Sequence, residues 1–523
     1  MRLLLLAVVL AGTGTFLWHA WLSLSFPFPL DYGEAPLLDQ ALRLSRGQTI
    51  YDPDLSTPPF TVANYPPLYP LTLVPLVWLL GPAFLGGRLV AVLSCLASAW
   101  FVGLTVRRMG SDRIAAVSAG GLLLVLPGVV LWSGLVRVDL LALALATGAL
   151  CLLAAKAAEG AGTDGKWRLR WVVLLLVGAV LARQSYALAA PFAAVLWVSR
   201  DSRRRALGLG AAVVAGCMLP LGALTLATRG GFFLHTVTAN VNEFSGGRMV
   251  AYLVEFAGQA PLLLLLAGAF LVSRRRVGWW LLAPFLVGAG LSALTVGKVG
   301  SNVNYLLELS VALCLIAGAM LLRVRTLPWT RVGLTAALTL QTAFLIWATW
   351  TDTLPRLRER LAERPELELL DRLVRETPDP LLADEQMGLL TRLGRPLQLQ
   401  PFEMTQLAST GLWDPDLLNG PIERGEFPLV LVHYLPGTLV HQERWLPETL
   451  AVLRRHYRPT GMLAGSVIYR PAAAMAVEIP APRGEQLPWA DATPLPAPTR
   501  ISRARFVMQP DIAVAPGRPD LLA

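Results

Sequence analysis

The segment Asp31-Tyr32-Gly33-Glu34 sets two carboxylates about one helical turn apart, directly after a long apolar run. At the edge of a bilayer, a low-dielectric wall raises a carboxylate's pKa and makes it a competent base for a hydroxyl proton. The same four residues also read as a helix start, with Asp31 as the cap and Glu34 completing a capping pattern. Taken alone, the capping reading is the stronger of the two. A second position with chemical potential is Arg183, which joins two apolar stretches, 171–183 and 186–199, each too short to cross a bilayer straight. A charge at membrane depth is expensive and defaults to a functional hypothesis, with an arginine snorkelling to headgroups as the alternative.

The elements that must position these groups follow from composition. The chain has 523 residues, 54% hydrophobic and only 15% charged, against about 25% charged in soluble domains. The charge deficit lies before about residue 350, where apolar runs of about 20 residues alternate with short basic loops, the pattern of membrane-crossing helices. Eleven spans are expected, over 3–24, 86–106, 114–132, 140–156, 171–183, 186–199, 206–228, 259–273, 279–297, 303–322 and 331–350. The first, which carries Trp18 and Trp21 and lacks a small-x-small cleavage site, reads as an anchored span, not a signal peptide.

A further apolar stretch, Pro66 to Leu80, is short and carries four prolines. If it does not cross, Arg2, Arg107, Arg108, Arg113, Lys156, Lys166, Arg168, Arg170, Arg200, Arg203 to Arg205, Arg274 to Arg276, Arg323, Arg325 and Arg331 all fall on one side. The positive-inside rule therefore makes it a juxtamembrane helix at the opposite face. The loops 25–85, 133–139, 229–258 and 298–304, the break near Arg183, and everything after Thr351 are then extracytoplasmic. They hold most of the acidic residues of the membrane region, so a site is expected there. In the loop 229–258, His235, Asn240, Asn242, Glu243 and Arg248 are candidate substrate contacts, equally well read as a solvated lid.

The chain divides into a transmembrane domain (1–351), a small α/β domain (352–470) and a Pro/Ala-rich, loosely ordered tail (471–523). Strands are expected at PLLADE, RPLQLQ, FPLVLVHY and SVIYR, and helices at ERPELELLDRLVRE and PETLAVLRRHY. Asp384 and Glu385, at a strand end, are accounted for by a strand-to-helix cap. The net charge of +10 sits in the basic loops, which set topology and attract anionic lipid, and no nucleic-acid motif accompanies it. Cys95, Cys151, Cys217 and Cys314 all lie inside apolar runs and act as small hydrophobes. The five histidines form no HxxxH pair, so no protein-built zinc site is expected.

The order of features narrows the function. After the acidic segment come Asn64-Tyr65-Pro66-Pro67-Leu68, then Gly86-Gly87-Arg88-Leu89 opening the next span, then Val136-Arg137-Val138-Asp139. This layout resembles the GT-C membrane glycosyltransferases, in the branch of the protein mannosyltransferases (glycosyltransferase family 39-like) and the aminoarabinose and lipopolysaccharide-core transferases. The resemblance covers the membrane region to about residue 350. Gly297 to Tyr305 and QPFEMTQLASTGLWDPD also look like stretches found in this group. It implies an α-helical polytopic GT-C-like fold of about eleven transmembrane helices plus a juxtamembrane helix, with the small C-terminal α/β domain. It also implies an inverting transfer of a sugar from a polyprenyl-phosphate donor to the hydroxyl of a glycan, lipid or protein acceptor.

Asp31 would be the general base, with Glu34 as its companion, although the family's adjacent Asp-Glu pair is here spaced apart. Arg137, Arg183 and Lys298 would hold the departing lipid phosphate, with Tyr65 and Asn304 orienting it. Asp139 would hold the acceptor, bind a metal, or pair with Arg137 as a structural salt bridge. No cofactor is required by the pattern, and a divalent metal stays open. Two other classes compete: a flippase for lipid-linked sugars and a non-catalytic envelope scaffold. A flippase needs polar groups along a path through the membrane, whereas the ionisable groups here gather on one side. A scaffold leaves the Asp31 loop unexplained.

Overall fold

The computed structural model describes residues 1–154, 164–240, 242–273, 278–323, 328–434 and 443–472. The tail expected to be loosely ordered falls outside the described residues from 473 onward, as do Lys156, Arg274 to Arg276 and Arg325.

The apolar runs form helices, which close their backbone hydrogen bonds internally as a bilayer requires. In chain order these are α1 (Arg2–Ser25), α2 (Glu34–Ser45), α3 (Leu68–Leu80), α4 (Phe84–Arg108), α5 (Arg113–Leu123), α6 (Pro127–Ser133) and α7 (Asp139–Ala154). There follow α8 (Asp164–Ala182), α9 (Ala189–Ser199), α10 (Arg203–Ala227), α11 (Gly231–Thr236), α12 (Gly246–Gln259) and α13 (Pro261–Val272). The membrane part ends with α14 (Trp279–Leu294), α15 (Leu307–Arg323) and α16 (Pro328–Ala348). Each expected span falls on one of these helices or on a bent pair. By length and apolarity, six described helices cross alone, and up to eight do if α5/α6 (bent 67°) and α12/α13 (bent 95°) each count as one span. The difference from eleven falls at α7 and α9, which are 16 and 11 residues long, and at α8, whose start carries Arg168 and Arg170. Both bends have a covalent cause, because Pro127 and Pro261 lack an amide hydrogen and open the second helix of each pair.

Helix α3 is 13 residues long with Pro75 inside it. It packs Tyr69 and Leu73 against Leu37, Leu38 and Ala41 of α2 and Phe84 of α4, and turns Trp78 and Leu79 outward.

The C-terminal body starts with α17 (Leu354–Ala362), which continues α16 through a wide turn, and α18 (Arg364–Glu376). Short helices α19 (Met387–Arg392), α20 (Pro401–Ser409), α21 (Asp416–Glu423) and α22 (Pro447–His456) surround a sheet of β1 (Leu381–Ala383), β2 (Leu429–His433), β3 (Tyr457–Leu463) and β4 (Ser466–Pro471). The strand order is β1-β2-β4-β3, with β1 parallel to β2 and the other pairs antiparallel. Strand β3 carries Pro459 and Gly461 around a register shift, which hides it from a propensity reading.

RPLQLQ is not a strand of this sheet. It makes a bridge to the first long loop instead: Phe60 N donates to Gln398 O and Gln400 N to Phe60 O, each at 2.9 Å. Trp413 adds a hydrogen bond from Nε1 to Leu55 O (3.0 Å) and an edge-on contact with the Phe60 ring. Phe60 and Val62 therefore belong to the apolar core of the C-terminal body, and that body is fastened to the loop that carries Asp31.

Candidate active site

The segment between α1 and α2 has two prolines and no helical bonds of its own, so its shape must be imposed from outside. Arg88, fully buried on α4, does most of this. It donates to the carbonyls of Ser23 (2.9 Å), Phe26 (2.5 Å) and Phe28 (2.7 Å), and bidentately to Glu34 at 2.8 and 2.7 Å. Glu34 also accepts from Leu30 N (2.7 Å) and Val136 N (3.0 Å). Arg360 of α17 grips the same segment from the other body, donating to Pro29 O at 3.1 and 3.0 Å and to Gln386. Asp31 closes the turn by accepting from Gly33 N (2.9 Å), and no side chain caps α2. Gly33 has a steric reason to be glycine, because a Cβ there would meet the Arg137 guanidinium.

The held segment forms one wall of an open, solvent-connected cavity. Asp31, Tyr32, Asn64 and Tyr65 come from the first loop; Arg137 from the turn before α7; Asn240 and Asn242 from the loop before α12. Lys298, Asn302 and Tyr305 lie between α14 and α15, and Phe402, Glu403, Glu443 and Arg444 are supplied by the C-terminal body. Two elements share the Lys298 side. Val299 N donates to Glu243 O and Ser245 N to Gly297 O, each at 2.8 Å, so the 243–245 and 297–299 segments pair antiparallel.

Of the residues singled out from sequence, Asp31, Tyr65, Arg137 and Lys298 line this cavity together. Asp31 is ion-paired with Arg137, whose guanidinium also lies over the Trp132 ring. Among the described residues no carboxylate pairs with Lys298, and burial together with the charge of Arg183 pushes its ammonium pKa down. The other four are not brought to the cavity surface. Glu34 is saturated by Arg88 and two amides and is fully buried. Asp139 pairs with Arg183, not with Arg137, and also accepts from Trp132 Nε1 (2.8 Å) and Asn304 Nδ2 (3.0 Å). Asp139, Arg183 and Asn304, all buried, back the cavity through Tyr305, whose ring centre lies 4.5 Å from the Arg183 guanidinium carbon.

The lid candidates sort in the same way. His235 accepts from Ala63 N (2.9 Å) at Nδ1 and meets Asp52 O (2.8 Å) at Nε2, the partners of a neutral ring that staples the first loop. Asn240 and Asn242 line the cavity, while Arg248 is taken up by Glu443 at 2.5 Å. Asp384 accepts from His433 N and Trp445 Nε1 and is structural. Glu385 pairs with Arg444 at 2.6 Å. Burial opposes its ionisation, but Arg444, His433 and Arg360 outweigh burial and hold its pKa at about 2. Among the described residues no three His, Cys, Asp or Glu side chains converge in a way that could hold a metal ion.

Two cavity groups escaped the sequence reading. Arg444 stacks its guanidinium 4.2 Å from the Tyr32 ring centre, and Tyr32 Oη in turn accepts from Phe402 N (3.0 Å). Glu403 stands in the first turn of α20 and accepts from Asn64 Nδ2 at 3.1 Å. Burial raises its pKa to about 7, against the smaller pull of nearby hydrogen bonds and Arg137. The one available signal was its place inside QPFEMTQLASTGLWDPD. Several amide oxygens on the cavity wall are buried without a hydrogen-bond partner among the described residues: Gln40 Oε1, Asn64 Oδ1 and Asn242 Oδ1.

No protein-family model matches the sequence, and no curated protein matches it in sequence. Solved structures match in shape. ArnT from Cupriavidus metallidurans in the apo state is 15% identical with a TM-score of 0.62, over 89% of this chain and 98% of that one. Its form bound to undecaprenyl phosphate gives 14% and 0.61 over 88% and 97%. The Archaeoglobus fulgidus oligosaccharyltransferase in complex with Zn and sulfate gives 13% and 0.50 over 90% and 73%. The likeness shows that the chain has the fold shared by ArnT and that oligosaccharyltransferase.

Proposed function

We propose that the chain is an integral membrane glycosyltransferase. It moves a hexosyl or pentosyl unit, with inversion, from a polyprenyl-phosphate donor to the hydroxyl of a glycan, lipid or protein acceptor. The observation that carries this reading is the cavity itself, where the Asp31–Arg137 pair shares the wall with Lys298, with which no carboxylate among the described residues pairs, on a fold of this kind. A lipid phosphate needs cationic partners as it departs. Lys298 supplies a point charge, and Arg137 can share its planar fork between Asp31 and a phosphate oxygen. ArnT, of the same fold, binds undecaprenyl phosphate, which favours such a lipid as the donor here. The unpartnered oxygens of Gln40, Asn64 and Asn242 suit the hydroxyls of a sugar, and Tyr65 completes that wall.

Asp31 is the carboxylate that receives the acceptor hydroxyl. Glu34 acts through Arg88 by fixing the segment that presents Asp31, and Arg183, Asp139 and Asn304 act by holding Tyr305 in place. The reading puts the cavity and the C-terminal body on the extracytoplasmic face, because the basic loops of the membrane region gather at the other side.

Purified protein offered a panel of polyprenyl-phosphate sugars should bind at least one saturably and release sugar slowly to water. Failure to bind any of them overturns the reading. Asp31→Asn should lower transfer about 10²–10³-fold, the range for losing a preorganised electrostatic partner of the transition state, while lipid-phosphate affinity stays near that of the wild type. Full activity in that variant removes Asp31 from the reaction.

A further inference from the structure

The carboxylates around the cavity are not equivalent. Asp31 is paired with Arg137, Glu443 with Arg248, and Glu385, just behind the wall, with Arg444. Among the described residues Glu403 is the cavity-lining carboxylate with no ion pair. Asn64 of the first loop donates to one carboxylate oxygen at 3.1 Å, and the Tyr32 hydroxyl stands 3.5 Å from the other. Gln400 adds a hydrogen bond from the same helix start, and Arg137 and Tyr65 act on it only through their charge or proton. Arg444 and Glu443, also on the wall, are committed elsewhere.

A carboxylate held by a guanidinium and an amide keeps its charge at little cost and has low proton affinity. One that is desolvated and lacks a cation holds a proton far more readily. Where two carboxylates of one site have environments that pull their proton affinities apart, the difference assigns their roles. We propose that Glu403, carried by the C-terminal body, is the general base of the transfer, and that Asp31 is the fixed anion that orients the acceptor hydroxyl.

This assignment rests on the transferase reading. In the step, the acceptor O–H bond breaks and its proton passes to a Glu403 carboxylate oxygen. The freed electron pair forms the bond to the anomeric carbon. The bond from that carbon to the phosphate oxygen breaks, and its electrons leave with the lipid phosphate beside Lys298 and Arg137. Asp31, paired with Arg137, faces the positive charge that grows on the anomeric carbon. Protonated Glu403 then returns its proton to solvent through the open cavity. The pKa of about 7 agrees with the role, since a base works best when its proton affinity lies near the operating pH.

The test is the pH profile of kcat/KM for the acceptor between pH 5.5 and 9, using full-length protein and whichever donor the panel identifies. Wild type should lose activity on the acid side with an apparent pKa near 7. Glu403→Gln should lose about 10²–10⁴-fold of turnover and its residual activity should show no acid limb, while lipid-phosphate binding is retained and certifies the fold. Glu403→Asp should keep part of the activity with the limb displaced, and added formate should partly restore Glu403→Ala. Turnover within a few-fold of wild type in Glu403→Gln, or a large loss with the acid limb unmoved, overturns the assignment. Both outcomes leave the donor-binding result, and hence the transferase reading, standing.

Discussion

Arg88 and Glu403 show how differently two buried ionisable residues behave at this site. All of Arg88's partners are satisfied and include a bidentate carboxylate, so removing it strands Glu34 without a counter-charge in a dry interior. Arg88→Ala should destabilise the fold by about 3–5 kcal/mol, read as a lowered melting temperature in detergent, with Asp31 displaced and transfer lost as a consequence. Glu403 carries the opposite sign of linkage. Its folded pKa of about 7 lies above the ordinary 4.5, so the folded state binds the extra proton. Its contribution to stability is complete below about pH 4.5 and is lost as pH rises through about 7. Glu403→Gln should therefore be the more stable protein at pH 8 and flatten the decline of melting temperature over that window, even as it loses turnover. Asp31, Tyr65, Arg137 and Lys298 were legible because counting the sides of the membrane gathers them at one face. Glu403 was not, because a glutamate in the first turn of a helix has an ordinary electrostatic reason to be there.

Short and broken helices mark where this fold departs from simple crossings. The break at Arg183 was legible from the length of its flanking runs, and its buried pair with Asp139 explains how a charge is tolerated there. Its partner was not legible, since Arg137 stands two residues from Asp139 and nothing in the spacing favours a distant arginine. The pairing of 243–245 with 297–299 joins two loops through Lys298, and no propensity signal foretells a bridge of that length. Because the backbone around Lys298 is fixed in this way, Lys298→Ala should leave the fold intact. A charge-assisted bond contributes about 1.5–3 kcal/mol, so the Kd for lipid phosphate should rise about 10–100-fold. Titration of the purified variant with polyprenyl phosphate checks this, and an unchanged Kd would place the phosphate elsewhere.

Taken as one molecule, the chain is a helical membrane body with an α/β body fastened to its first loop. The fold class was legible in the hydropathy rhythm, and three of the four strands in their alternating runs. The docking of the two bodies was hidden, because RPLQLQ reads as a sheet strand yet bridges to Phe60. The orientation of the whole has a direct test, helped by the burial of all four native cysteines. Gln48→Cys, on an exposed turn of the first loop, should react with a membrane-impermeant maleimide on intact cells. Arg204→Cys, at the exposed start of α10, should react only after permeabilisation.

The fastening of the C-terminal body to the first loop also bears on how the molecule comes into being. Asp31 leaves the ribosome early, whereas Glu403 and Arg444 are made only after the last hydrophobic segment, α16. A nascent chain, or one cut short by a premature stop, would hold the phosphate-binding face and lack the opposite wall. On the transferase reading proposed above, such unfinished molecules would hold lipid-linked sugar without consuming it, and transfer would begin only once the segment that carries Glu403 and Arg444 has been made and has docked against the first loop.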